Sequence, residues 1–125
     1  MGAKRPYLEI KMEKQVQYIT GTAITVEAFK NRLCVLPKEN ENFALPSPDE
    51  VKSARHLLGL SQTGLAKFVG VSWSQLKGSP TVRKWETQVG KTEHRPMNYT
   101  AWRMMLIALG VVSQDDIKNE VAEYR

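Results

Sequence analysis

The chain has 125 residues, 18 Lys/Arg against 13 Asp/Glu for a net charge of +5, and 42% hydrophobic residues. That is enough for one ordinary domain, or a small domain with an appendage, and it argues against wholesale disorder. No apolar run approaches the roughly 18 residues that span a bilayer, no signal-type segment opens the chain, and the single Cys34 excludes an intramolecular disulfide and a cysteine-based metal cluster.

Leu8, Ile10 and Met12 alternate with Glu9, Lys11 and Glu13, and Val16, Tyr18 and Thr20 continue a period of two. Leu8, Met12, Val16 and Ile19 also make a helical stripe, so strand, hairpin and helix all fit this segment. Gly21 breaks the pattern. Thr25 is a candidate cap for a short helix with Ala28, Phe29, Leu33 and Cys34 on one face. Cys34 itself reads as a small buried hydrophobe. The three prolines and polar middle of LPKENENFALPSP, residues 36–48, predict a linker. This divides the chain into an N-terminal α/β extension, residues 1–45, and a helical domain, residues 46–125.

From Pro48 the helical signals sharpen. Ser47 is a cap, Pro48 suits the first turn, and Asp49 and Glu50 suit the positive end of the helix dipole. Val51, Ala54 and Leu58 share a face, and Gly59 ends the helix. Ser61 caps a second helix with Leu65, Ala66 and Val69 inward and Gly70 at its end. Ser79 and Pro80 open a third, TVRKWE, with Val82 and Trp85 on one face. Trp102, Met105, Leu106 and Leu109 form a fourth stripe closed by Gly110, more in keeping with a core than with a cofactor site. Ser113 and Asp116 resemble a capping box for a last helix with Ile117, Val121 and Tyr124. Five short helices thus follow the prolines.

Charge is uneven along this order. Residues 1–47 carry seven Lys/Arg against five Asp/Glu, residues 48–110 nine against four, and residues 111–125 two against four. An electropositive middle suits a polyanionic partner, because DNA binding releases condensed counterions.

KWETQVGKTEHRP, residues 84–96, contains Gly90-Lys91-Thr92, the tail of a nucleotide-binding loop. That loop needs a glycine five residues before Gly90. Trp85 stands there, and an indole blocks the tight turn that backbone makes around a phosphate. His94 and His56 are the only histidines, with no acid or cysteine cluster around either. No nucleophile–base set or metal motif supports an enzyme.

VKSARHLLGLSQTGLAKFVGVS, then TVRKWE, GKTEHRP and a helix ending ALG resemble the DNA-binding domain of lambda- and Cro-type (XRE-like) repressors over residues 48–110. Arg55, Leu58-Gly59-Leu60, Gln62, Leu65-Ala66 and Gly70 carry the likeness without a gap through the first two helices. The resemblance implies a mainly α, five-helix helix-turn-helix fold with the third helix in the major groove of double-stranded DNA. It implies base contacts from Ser79, Thr81, Arg83 and Lys84. It implies phosphate contacts from Gln62, Thr63, Lys77, Lys91, Thr92, His94 and Arg95. It also implies a structural ion pair between Arg55 and Glu86.

The sequence departs from the family in the turn. Eight residues, WSQLKGSP, stand where about two are usual. Trp73 then serves either as a plug under the longer loop or at the DNA flank with Gln75 and Lys77. A second register starts the recognition helix at Ser72, with Ser74, Gln75 and Lys77 as readers.

The expected function is a sequence-specific transcriptional regulator, a repressor acting as a homodimer on a palindromic operator. Its expected setting is cytoplasmic, nucleoid-associated, and of a bacterial, phage or mobile-element type. Neither cofactor nor metal nor membrane enters this expectation. The competing class is an antitoxin or antiactivator that binds a partner protein through residues 1–45. Arg83 and Lys84 favour DNA over that class. The dimer would form through the last helix or through an N-terminal strand edge.

Overall fold

The computed structural model describes residues 25–125. The ambiguous pattern at residues 8–20 lies outside the described residues, and with it the β part of the expected extension. The described chain is mainly helical: α1 (Val26–Phe29), a 3-10 turn (Leu33–Val35), α2 (Pro48–Leu57), α3 (Gln62–Val69), α4 (Pro80–Trp85), α5 (Tyr99–Leu109) and α6 (Gln114–Glu123). Among the described residues no helix is long and apolar enough to cross a membrane. No group of three or more metal-ligating side chains occurs among them.

Local chemistry sets the helix starts. The Ser47 hydroxyl accepts from the Glu50 backbone N–H, and the Glu50 carboxylate accepts from the Ser47 N–H in return, a reciprocal cap. Ser61 and Ser79 cap α3 and α4, and Pro80 fills the first turn of α4. Asn98 caps α5. Ser113 and Asp116 repeat the reciprocal cap at α6. There the Ser113 backbone N–H holds the Asp116 carboxyl below the usual aspartate range.

The core gathers around Trp102, which is fully buried with Val51, Ala54, Leu65, Ala66, Val82, Met105 and Leu106. α5 packs against α2 and α3, and α3 against α4. α6 has no buried residue. Ile117 packs on the rim of the core, while Val121 and Tyr124 are half-exposed. The helix is tied down by polar contacts instead, with Arg103 Nη2 2.7 Å from Glu120 Oε1 and the Tyr99 hydroxyl donating to Glu120 Oε2.

The boundary expected at residues 45/46 runs through this core. Phe29 is fully buried and its ring lies 6.0 Å from that of Trp102. Trp102 Nε1 donates to the Cys34 carbonyl at 2.8 Å, and Arg103 Nη1 to the Val35 carbonyl at 2.7 Å. Arg32 pairs with Glu50 at 3.0 Å. Residues 25–45 therefore complete the domain and are not an appendage. Their expected common face is split: Phe29 and Cys34 are buried, whereas Ala28 and Leu33 are exposed. α1 lasts four residues and the 3-10 turn then changes the period. Residues 36–46 form no helix, yet they are not a loose linker. The Lys38 N–H donates to the Tyr99 hydroxyl, Phe43 meets the Tyr99 ring edge-on, and Pro46 is buried.

Burial pushes the Cys34 thiol well up, and the nearby Glu50 carboxylate adds to the shift. The thiol stays protonated and unreactive at neutral pH.

Candidate functional site

α4 is the shortest of the helices after α1, and its position is set from below. Val82 and Trp85 are buried. At its C-terminal end Glu86 meets Arg55 of α2 in a forked pair, Nε to Oε2 at 2.6 Å and Nη2 to Oε1 at 2.9 Å. The remaining donor, Arg55 Nη1, reaches the Leu60 carbonyl at 3.0 Å. Gln62 Nε2 donates to Glu86 Oε1 at 3.1 Å. The Arg55 and Glu86 side chains are 9% and 6% exposed, so the pair lies inside the protein and clamps α2, α3 and α4 together. Such geometry satisfies both charges, which is the condition for tolerating them out of water.

The opposite face of α4 is basic. Arg83 is exposed, and Thr81 and Lys84 are half-exposed. Ser79, expected beside them, is corrected by the structure. It is 1% exposed, its hydroxyl accepts from the Val82 N–H at 3.2 Å, and it donates to the Ser72 carbonyl at 2.7 Å. Buried and engaged in capping and in closing the loop, that hydroxyl is out of reach of a base. Gln62 is half-buried and spends one amide N–H on Glu86, which leaves its second N–H and the first backbone N–H groups of α3 for a ligand.

The turn after α4 folds back on itself. The Thr87 hydroxyl donates to the Arg83 carbonyl, the Arg95 N–H to the Lys84 carbonyl, and Arg95 Nη1 to the Thr92 and His94 carbonyls at 2.9 and 2.7 Å. Lys91 and Thr92 stand exposed, and Arg95 is exposed while bracing its own turn. Lys91 and Thr92 line a shallow basin with Arg83, Lys84, Glu86, Thr87, Gln88 and Glu93. His94 Nδ1 lies 2.8 Å from the Thr87 carbonyl. Nδ1 thus donates to the turn, and Nε2 is the ring nitrogen left for a ligand.

The enlarged turn is ordered. Ser74 and Gly78 exchange backbone hydrogen bonds at 2.8 and 2.9 Å, and the Lys77 N–H donates to the Ser74 hydroxyl. Gly78 has φ +68°, which closes this tight turn without the strain a side chain brings. A β-carbon placed there would lie 3.6 Å from the Thr63 hydroxyl, so the loop ends against the first turn of α3 and partly covers Thr63. Lys77 is exposed at its tip. Trp73 is not a plug. It is 44% exposed, with Lys67 Nζ 4.4 Å from its ring centre. The register that starts a helix at Ser72 is overturned, since residues 72–78 form this loop and α4 begins at Pro80.

Lys67 was not among the sequence-derived site residues. The signal that points to it is a stretch without acids: residues 51–85 hold six Lys/Arg and no Asp or Glu. One of the six, Arg55, is neutralised by Glu86. Of the other five, Lys67, Lys77, Arg83 and Lys84 give the α3–α4 region its charge.

No family model, curated protein or solved structure matches the chain.

Proposed function

We propose that the protein is a sequence-specific DNA-binding transcriptional regulator, a repressor that acts as a homodimer on a palindromic operator. In this proposal α2–α6 are the five helices of a lambda/Cro-type domain, α3 and α4 form the helix-turn-helix, and α4 enters the major groove. The observation that carries it is the basic face of α4, Thr81, Arg83 and Lys84, set opposite a buried face and fixed by the internal Arg55–Glu86 clamp. Arg83 and Lys84 can donate to guanine O6 and N7, and Thr81 to a base edge. Lys91, Thr92 and Arg95 on the following turn, Lys77 on the loop, and the first turn of α3 at Gln62 and Thr63 supply phosphate contacts. Ile107, Val121 and Tyr124, each about half-exposed on α5 and α6, are the surface proposed for pairing two copies.

The partner-protein reading draws less support. Of residues 1–45, to which it assigns the binding role, the described part, 25–45, gives Phe29 and Cys34 to the core and the Cys34 and Val35 carbonyls to α5.

The test is fluorescence anisotropy of the full chain on duplex DNA as salt is varied. Affinity is expected to fall steeply with salt. Lys91→Ala should lower the slope by about one, and Arg83→Ala should cost about 1–3 kcal/mol on the preferred site while relaxing its sequence preference. Equal affinity of parent and Arg83→Ala for every duplex would refute the placement of α4.

A further inference from the structure

The loop between α3 and α4 carries the most exposed large apolar side chain among the described residues. Leu76 is 90% exposed, at the tip of the loop closed by the Ser74–Gly78 hydrogen bonds. Its neighbours Gln75 and Lys77 are exposed as well. A leucine in a mobile loop would need no explanation. This one is held out by five hydrogen-bonding contacts at the base and shoulder of the loop. They are the two between Ser74 and Gly78, Lys77 to Ser74, and the two made by the Ser79 hydroxyl. The loop thus presents its tip already ordered, which reduces the entropy lost on contact with a partner.

Two observations say what that partner is. The first is charge. The loop sits in the stretch of residues 51–85 that lacks any acid, with Lys77 at its tip and Lys67 beside Trp73 at its base. Such a surface suits a polyanion. The second is position. The loop ends at Gly78, directly before the Ser79 cap, so it emerges at the N-terminal end of α4. The N-terminal end of a recognition helix points toward base edges in the major groove, so a loop that leads into it lies beside that groove. We infer that the loop is a second DNA-contacting element, its tip Gln75-Leu76-Lys77 lying against the duplex beside the groove that α4 enters. Lys77 meets a phosphate, and Leu76 packs on sugar edges or a thymine methyl, as apolar side chains do at DNA grooves. The inference rests on the proposed DNA-binding function. It extends the recognised sequence beyond the bases within reach of the six-residue α4.

The test uses the full chain and the duplex that it enriches from a random pool. Leu76→Ala and Lys77→Ala are compared with the parent and with Arg83→Ala. Both tip positions are exposed, so thermal melts should be unchanged. Leu76→Ala is expected to weaken binding about tenfold and to lose sequence preference at the flanking positions while keeping it at the centre. Parent-like affinity of Leu76→Ala, with Arg83→Ala weakened, would overturn the inference alone. Failure of the parent to enrich any sequence would overturn the inference together with the function on which it rests.

Discussion

Deleting residues 1–45 is expected to leave a chain that no longer unfolds cooperatively. The deletion removes Phe29, fully buried against Trp102, and losing a buried phenylalanine side chain costs about 3–5 kcal/mol. It also removes the Cys34 and Val35 carbonyls that accept from Trp102 Nε1 and Arg103 Nη1. Each buried donor left without a partner adds about 1–3 kcal/mol. Glu50 loses Arg32 as well. Together these losses rival the whole stability of a small domain, about 5–15 kcal/mol. Thermal unfolding followed by circular dichroism checks this. A chain that starts at Thr25 keeps every contact named and should melt cooperatively. A cooperative melt without residues 25–45 would show that the helices from α2 onward suffice.

Breaking the internal clamp should have the second-largest effect. Glu86→Ala strands the Arg55 guanidinium, only 9% exposed, and also frees Gln62 Nε2. Removing one partner of a buried pair costs about 3–5 kcal/mol. Arg55→Ala strands Glu86 and should cost a similar amount. Replacing both partners by apolar residues, Arg55→Met with Glu86→Leu, should recover much of the loss because no charge is then left unpaired. Urea unfolding of the parent, Arg55→Met, Glu86→Leu and their double variant gives the coupling between the sites. Additive single effects would mean that the two residues do not act as a pair. The same substitutions loosen α4, so DNA preference should degrade in Glu86→Ala even at temperatures where the protein stays folded.

The helix starts were legible because capping is local. Ser47 with Glu50, Ser61, Ser79 with Pro80, and Ser113 with Asp116 each act within three residues along the chain. The inward stripes of α2, α3 and α5 were legible by period, and the Arg55–Glu86 pair was expected from the family resemblance. The docking of residues 25–45 was hidden for the opposite reason. Phe29 belongs to a four-residue helix, too short to carry a period, and the Trp102–Cys34 contact joins residues 68 apart. Prolines in residues 36–48 signal irregular backbone, which is what forms, but they do not say whether that backbone is docked.

Residue type alone misjudged Ser79. It has the side chain to touch DNA, and nothing local shows that it is buried against the Ser72 carbonyl. Gln62 and His94 each spend one side-chain nitrogen inside the protein, on Glu86 and on the Thr87 carbonyl. Arg83, Lys84, Lys91 and Thr92 remain at the surface, where long or small polar side chains with no internal partner are left to face solvent or a ligand.

The most direct test of the central claim is selection of the full chain against random duplex DNA at low salt. An enriched palindrome whose half-sites lie about 10–10.5 base pairs apart, centre to centre, is the expected result. Binding without any enriched sequence, or no binding at all, would contradict it.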